Sequence, residues 1–169
     1  MEDTDLDEAR VAAADAVRGL VERRETLATA ESLTGGLVAA TIVEIPGVSA
    51  VYRGGLVVYA TDLKHELAGV PEGLLAERGP VDPDVALALA EGVRRRCAAG
   101  WGLATTGVAG PDPQDGKPVG TVFVAVAGPF GAAVRELKLD GNRAVIRAGS
   151  VTAVLRLLAE RLRTAPAPA

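Results

Sequence analysis

Apolar residues return every three or four positions at Leu6, Ala9, Ala13, Val17 and Leu20, a spacing that predicts an amphipathic helix. Thr4-Asp5-Leu6-Asp7 resembles a capping box at its start, and the helix is expected to end near Arg23-Arg24. Thr26 to Ala30 reads as a short strand, and the apolar-rich run from Leu37 to Ile45 as a helix broken by Pro46-Gly47. Val51 to Ala60 favours a strand through Val51, Val57, Val58 and Tyr59. Gly54-Gly55 inside that strand predicts a bulge or the close approach of another group. Thr61 or Asp62 is expected to cap a short helix carrying Lys64, and Pro71 to Pro80 reads as irregular with one helical turn at Gly73 to Glu77.

Asp82-Pro83 is a strong helix start, a cap followed by proline at the first helical position. Val85, Leu89, Val93 and Cys97 mark one face of that helix, and Gly100 is expected to stop it. A strand from Trp101 to Thr106 leads into a long Gly/Pro-rich loop, Gly107 to Pro118, of a kind that is more often functional than connective. Val119 to Ala127 is almost wholly apolar, as a strand buried on both faces would be. After the turn Gly128-Pro129-Phe130-Gly131, Ala132 to Leu139 alternates, so the two strands are expected to form an antiparallel hairpin. A last helix starts after Asp140-Gly141-Asn142, with Ala148, Val151, Leu155, Leu158 and Leu162 facing the core. Residues 1–5 and 164–169 are expected to be disordered.

Helices interleaved with strands predict an α/β protein whose sheet is covered on both faces, and the hairpin makes that sheet mixed. No repeat or linker divides the 169 residues, so one domain is expected over 1–169. Only 3 % of the residues are aromatic, so the core must be built from Ala, Val and Leu. A net charge of −4 leaves no basic footprint for nucleic acid, and Arg94-Arg95-Arg96 suits the dipole at a helix end. One cysteine, Cys97, and one histidine, His65, cannot make an intrachain disulfide or a His/Cys zinc site. No signal peptide or membrane-spanning apolar run is evident, and a cytoplasmic location is expected.

Candidate chemistry centres on Thr29-Ala30-Glu31-Ser32-Leu33-Thr34-Gly35-Gly36, a strand, a sharp turn and a helix start. Backbone N–H groups at a helix start can bind an anion or a developing oxyanion, and glycine allows close approach. The plainer reading is that Ser32 or Thr34 caps the helix. Gly54 to Lys64 and Thr106 to Gly120 also lie where strands meet loops or helices, but no segment has P-loop or dinucleotide-fingerprint spacing. Ser32 is a candidate nucleophile, with Lys64, Tyr59 or Glu31 as its activating group, whereas His65 reads as a surface residue. A lysine base would need its pKa lowered by burial or by a second cation. Arg143 and Arg147, one helical turn apart, either pair with Asp140 or a neighbouring chain, or hold an anion at the start of the last helix.

Four ordered motifs then carry a resemblance. They are Ala30-Glu31-Ser32-x-Thr34-Gly35-Gly36; Gly54-Gly55-x-x-x-Tyr59-x-x-x-x-Lys64; Thr106-Gly107-x-Ala109-Gly110-Pro111 with Lys117-Pro118-x-Gly120-Thr121; and Gly141-x-Arg143-x-x-x-Arg147. Together they resemble the C-terminal domain of the competence/damage-inducible CinA family, which includes the stand-alone nicotinamide-nucleotide amidase. The resemblance implies a three-layer α/β/α sandwich with a mixed, mostly parallel sheet. It implies hydrolysis of nicotinamide mononucleotide to nicotinate mononucleotide and ammonia, with no metal or other cofactor. Ser32 then resembles the nucleophile, and Tyr59 and Lys64 the groups that assist it. Thr106, Gly107, Ala109 and Gly110 resemble substrate contacts, with Glu31 and Thr34 grouped beside them. Gly35 and Gly36 would donate N–H groups to the oxyanion, and Arg143 and Arg147 would meet the phosphate. Homo-oligomers are the family's tendency. Larger members carry an N-terminal pyrophosphatase-type domain, which is not expected within this sequence.

Three departures from the pattern bear on activity. Leu33 replaces a common cysteine, Asn142 replaces a usual aspartate, and Pro111-Asp112-Pro113-Gln114-Asp115-Gly116 replaces Pro-x-Gly-Gly. The last two motivate the alternative of a nucleotide-binding or interaction module of the same fold without catalysis.

Overall fold

Large and small side chains alternate along the central strands, and that alternation decides what packs on each face. The computed structural model describes residues 3–168; Met1, Glu2 and Ala169 lie outside the described residues, and of residues 3–6 the backbone alone is described. The strands are β1 (Leu27–Glu31), β2 (Tyr52–Val57), β3 (Trp101–Gly107), β4 (Thr121–Gly128) and β5 (Gly131–Lys138). They form one five-stranded sheet in the order β2-β1-β3-β4-β5. β1 pairs parallel with β2 and β3, and β4 pairs antiparallel with β3 and β5. β4 alone runs against the other strands. "Mostly parallel" therefore describes strand direction, while the pairings divide evenly between the two kinds.

Trp101, Leu103, Val122, Val124 and Val126 face the layer of α1 (Asp3–Arg23), α2 (Leu37–Val43) and α6 (Arg143–Thr164). On the opposite face Ala28, Ala30, Ala104, Ala125 and Ala127 meet α5 (Pro83–Arg96), with α3 (Thr61–Glu66) and α4 (Glu72–Arg78) beside it. The product is a mixed five-stranded sheet with helices on both sides. Short side chains under α5 bring it close to the sheet: a Cβ on Gly102 would run into the carbonyl of Ala90. This is how a core with few aromatic residues reaches close packing.

The Gly54-Gly55 signal has a physical counterpart. The β1–β2 register slips between Leu27 and Ala28, and a Cβ on Gly55 would strike Thr29 Oγ1. Asp82 caps α5 as expected, its carboxylate accepting the N–H groups of Asp84 and Val85. Other boundaries differ. α1 already includes residues 3–5, so these are helical rather than disordered and Thr4 is not its cap; the same expectation for residues 1–2 falls outside the described residues. Ala60, not Thr61 or Asp62, holds the N-cap position of α3. α4 extends over seven residues rather than one turn. α5 ends at Arg96 because Ala98 turns left-handed (φ 49°), and Gly100 instead gives its N–H to Thr26 Oγ1. α6 includes Thr164, and Arg23 reaches past its end to the carbonyl of Pro166 at 2.7 Å, which ties down the start of the expected disordered tail.

The C-terminal ends of β2, β1 and β3 lie side by side, the usual ligand edge of an open α/β sheet. Ser32 follows β1, Tyr59 and Lys64 follow β2, and Thr106 to Gly110 close β3.

Two helical glycines should respond oppositely to alanine. Nothing lies near a Cβ at Gly73, so Gly73→Ala is expected to stabilise by up to about 1 kcal/mol through helix propensity. At Gly92 a Cβ would collide with the carbonyl of Ala68, so Gly92→Ala is expected to destabilise by about 1–3 kcal/mol. Urea midpoints of the two variants against the parent check both signs.

Candidate active site

A carboxylate, not a hydroxyl, caps the helix behind Ser32. Glu31 is the last residue of β1, and its side chain turns back beneath the loop. Its Oε1 accepts the N–H groups of Gly36 (3.2 Å) and Val38 (2.8 Å), and Oε2 accepts that of Ala39 (3.1 Å). Gly36 occupies the N-cap position in a left-handed conformation that glycine adopts without penalty. Thr34 Oγ1 pairs with Thr105 Oγ1 at 2.7 Å. The capping reading of Ser32 and Thr34 is thereby overturned, and the Ser32 hydroxyl stays free for another partner. Glu31, expected as a substrate contact or activating group, is buried and spent on the helix. Gly36, expected as an oxyanion donor, is likewise occupied.

That other partner is Lys64. From α3 its ammonium nitrogen reaches Val58 O at 2.7 Å, Tyr59 O at 3.1 Å and Ser32 Oγ at 3.1 Å. The residue is only 1 % exposed. Burial disfavours its charged form and lowers its pKa from 10.5 to about 8. In the ammonium state all three N–H bonds are used. In the neutral amine two N–H bonds satisfy the two carbonyls, and the lone pair is left for the Ser32 hydroxyl, which then donates to it. The arrangement is a serine with its own proton acceptor, held by main-chain carbonyls.

Ser32 and Lys64 open into a cleft of about 120 Å³ whose walls include Tyr59, Thr106, Gly107, Ala109, Gly110 and Arg143. Thr106 donates its hydroxyl proton to Pro80 O at 2.6 Å, which fixes its rotamer toward the cleft wall. Tyr59 contributes its carbonyl to Lys64, whereas its phenol accepts from Arg143 Nη2 at 3.0 Å and makes no bond to Ser32. Arg143 Nη1 also donates to Gly110 O at 2.8 Å, tying α6 to the loop after β3. Glu31, Thr34, Gly35, Gly36 and Arg147 stand behind the cleft rather than in its wall. Arg147 donates to Leu33 O and Thr34 O, each at 2.9 Å. Neither arginine pairs with Asp140. The sequence reading missed Pro80, Val81, Leu33, Val108, Asp112 and Gln114 as site residues in the cleft wall. The length of the 107–118 loop was a signal for the last two, and nothing local marked the first two.

The model of the CinA C-terminal domain matches residues 9–162. The chain belongs to the CinA family. A CinA-like protein of Frankia casuarinae is 51 % identical over 87 % of this chain and 34 % of its own length. A protein of Desulforamulus reducens described as a putative competence-damage inducible protein is 46 % identical over 82 % of this chain and 34 % of its own length. This chain thus spans about a third of the length of such relatives. Among solved structures, competence/damage inducible protein CihA from Agrobacterium tumefaciens superposes with a TM-score of 0.87 at 34 % identity, covering 93 % of this chain and 96 % of that one. The competence damage-inducible protein A from Klebsiella pneumoniae gives 0.90 at 28 % identity, covering 94 % and 99 %.

Two departures of this CinA-family chain have structural answers. Asn142 caps α6, its side-chain oxygen accepting the N–H of Val145 at 3.1 Å. In the loop, Asp115 (φ 49°) and Gly116 (φ 74°) make the left-handed corner between the bridged residues Gln114 and Lys117. An Asp-Gly pair is well suited to that geometry. Among the described residues no cluster of His, Cys, Asp or Glu could hold a metal ion, and no helix is long and apolar enough to cross a membrane.

The lowered pKa of Lys64 has a stability signature. Between pH 8 and 10.5 the unfolded chain holds a proton on this amine that the folded chain has released. The Lys64 contribution to folding stability should therefore rise with pH through that window and be flat below it. Denaturant titrations of parent and Lys64→Met from pH 7 to about 10 check this: the difference between them should shift with pH above 8.

Proposed function

We propose that this chain hydrolyses the carboxamide of nicotinamide mononucleotide, with Ser32 as nucleophile, to give nicotinate mononucleotide and ammonia. The observation that carries the proposal is the buried Lys64 amine, fastened by Val58 O and Tyr59 O and in hydrogen-bond contact with Ser32 Oγ at 3.1 Å. The substrate comes from the family resemblance of the motifs. The geometry supports acyl transfer from an amide.

Neutral Lys64 accepts the Ser32 proton as Oγ adds to the carboxamide carbon, and a tetrahedral oxyanion forms. The resulting ammonium passes its proton to the amide nitrogen, the C–N bond breaks, and ammonia leaves a nicotinoyl ester on Ser32. Water then adds to the ester with Lys64 again taking the proton. Collapse breaks the Cacyl–Oγ bond, returns the Lys64 proton to Ser32 and frees the carboxylic acid, which gives its proton to solvent to become the carboxylate product. A pKa of about 8 makes Lys64 competent in both directions near neutral pH.

A cleft of about 120 Å³ is small beside the roughly 300–1,000 Å³ typical of small-molecule sites. It suits the amide-bearing ring, with ribose and phosphate extending toward the mouth. Arg143 stands there, exposed, with guanidinium N–H groups beyond those given to Gly110 and Tyr59. It is the phosphate partner we propose. Arg147, expected in the same role, has its guanidinium committed to two carbonyls.

Purified protein should release ammonia from nicotinamide mononucleotide, and Ser32→Ala should lower kcat by at least about 10³-fold while still folding. Below the Lys64 pKa of about 8, kcat/KM should climb about tenfold per pH unit and then level off. No turnover by the parent across pyridine nucleotides and simple amides would leave binding without catalysis, visible as a rise in Tm with ligand alone.

A further inference from the structure

The turn that carries Ser32 accounts for nearly all of its N–H groups. Ser32 N–H goes to Thr105 O at 3.0 Å, Gly35 N–H to Ser32 O at 3.0 Å and Leu37 N–H to Thr34 O at 3.0 Å. Those of Gly36, Val38 and Ala39 go to the Glu31 carboxylate. Among the described residues, only the N–H groups of Leu33 and Thr34 in this turn take no partner. Glu31 has silenced the start of α2, so an oxyanion formed at Ser32 has these two donors next to it in the chain.

Both donors lead back to one cation. A trans peptide places its C=O and N–H on opposite sides of a rigid plane, so a bond to one polarises the other. Arg147 Nε donates to Leu33 O at 2.9 Å, and the N–H of that same peptide unit is Thr34 N–H. Arg147 Nη2 donates to Thr34 O at 2.9 Å, and the N–H of that unit, on Gly35, donates to Ser32 O. The peptide whose oxygen is Ser32 O ends in Leu33 N–H. Each free donor is therefore the far end of a hydrogen-bonded peptide chain that begins at the Arg147 guanidinium.

We infer that Arg147 is a positioning residue for the oxyanion site: it orients and polarises the Ser32–Gly35 peptides so that the N–H groups of Leu33 and Thr34 stabilise the tetrahedral intermediate. The inference rests on Ser32 being the nucleophile. It gives Arg147 a task separate from phosphate binding, and it explains why a guanidinium, with two donors in a fixed fork, stands there rather than an ammonium.

The test uses Arg147→Lys and Arg147→Gln with three readouts. Direct loss of one oxyanion donor costs about 10²–10³-fold in kcat, so a residue acting through the peptides should cost about 10–100-fold, with KM within about threefold and Arg147→Lys intermediate. Binding of nicotinamide mononucleotide in the Ser32→Ala background should be unchanged by either substitution, whereas a phosphate contact would weaken it. Reaction with a small fluorophosphonate forms a P–O bond to Ser32 Oγ, expels fluoride and passes the serine proton to Lys64. Its rate, followed by intact mass, should fall in step with kcat. Folded variants that keep kcat and labelling within about twofold, or that lose binding instead, overturn the inference. In the parent itself, amide proton resonances of Leu33 and Thr34 should move downfield on phosphonylation, and unmoved resonances overturn it whether or not the variants fold. A parent that labels at Ser32 yet leaves nicotinamide mononucleotide intact refutes the substrate while Arg147 is still judged by labelling. A parent that does neither refutes the nucleophile.

Discussion

One buried amine joins the loops after β1 and β2. Lys64 needs acceptors because a charged or polar nitrogen cut off from water is costly without them. Val58 and Tyr59, at the exit of β2, supply two carbonyls, and Ser32 supplies the third contact. The same burial that makes these bonds necessary lowers the pKa to about 8, so that near neutral pH a part of the population carries a lone pair toward Ser32. The burial that makes the charged amine costly is also what lowers its pKa, a combination common at functional sites.

The surroundings of Ser32 follow from a second constraint, that the start of a helix has N–H groups to satisfy. Glu31 meets it from below with a carboxylate that accepts three of them. Arg147 meets the complementary demand, two carbonyls of the turn, from α6. A buried carboxylate thus holds N–H groups of this segment and a half-buried guanidinium holds its carbonyls. Neither touches the cleft, and the cleft's shape depends on both. On the other wall, Arg143 and Pro80 do similar work, the first holding Gly110 and Tyr59, the second fixing Thr106. The short side chains under α5 let that helix lie close enough to carry the Pro80 segment to the end of β3.

Much of the fold was legible along the chain. Apolar periodicity located α1, β5 and α6, turn and cap residues placed the shorter elements, and Asp82-Pro83 and the apolar run before Gly128 located theirs almost to the residue. The short 3-10 turn at Val48–Ala50 was not foreseen, and α4 was read as a single turn. Boundaries failed where local propensity lost to tertiary contact. Gly100 was the obvious helix stop, yet its N–H is claimed by Thr26 and Ala98 takes the left-handed turn. Thr61 or Asp62 was the expected cap, yet Ala60 holds that position and the helix that starts at Thr61 brings Lys64 onto the exit of β2.

By itself the sequence determined the α/β class, the covered mixed sheet, and the three strand-end segments that converge on the cleft, because periodicity and turn chemistry are local properties. It also named Ser32 with Lys64, Tyr59 or Glu31 as its partner, and the spacing of Ser32 and Lys64 after successive strands brings those two to one edge once the strands pair in parallel. Only the tertiary structure decided which groups the charged residues hold. Glu31, Arg143 and Arg147 look equally able to meet a substrate when read in one dimension. A polar group's role is set by which unpaired N–H or carbonyl lies within about 3 Å of it in the folded chain, and hydrogen bonds across more than a hundred residues, as from Arg147 to Leu33, leave no local trace.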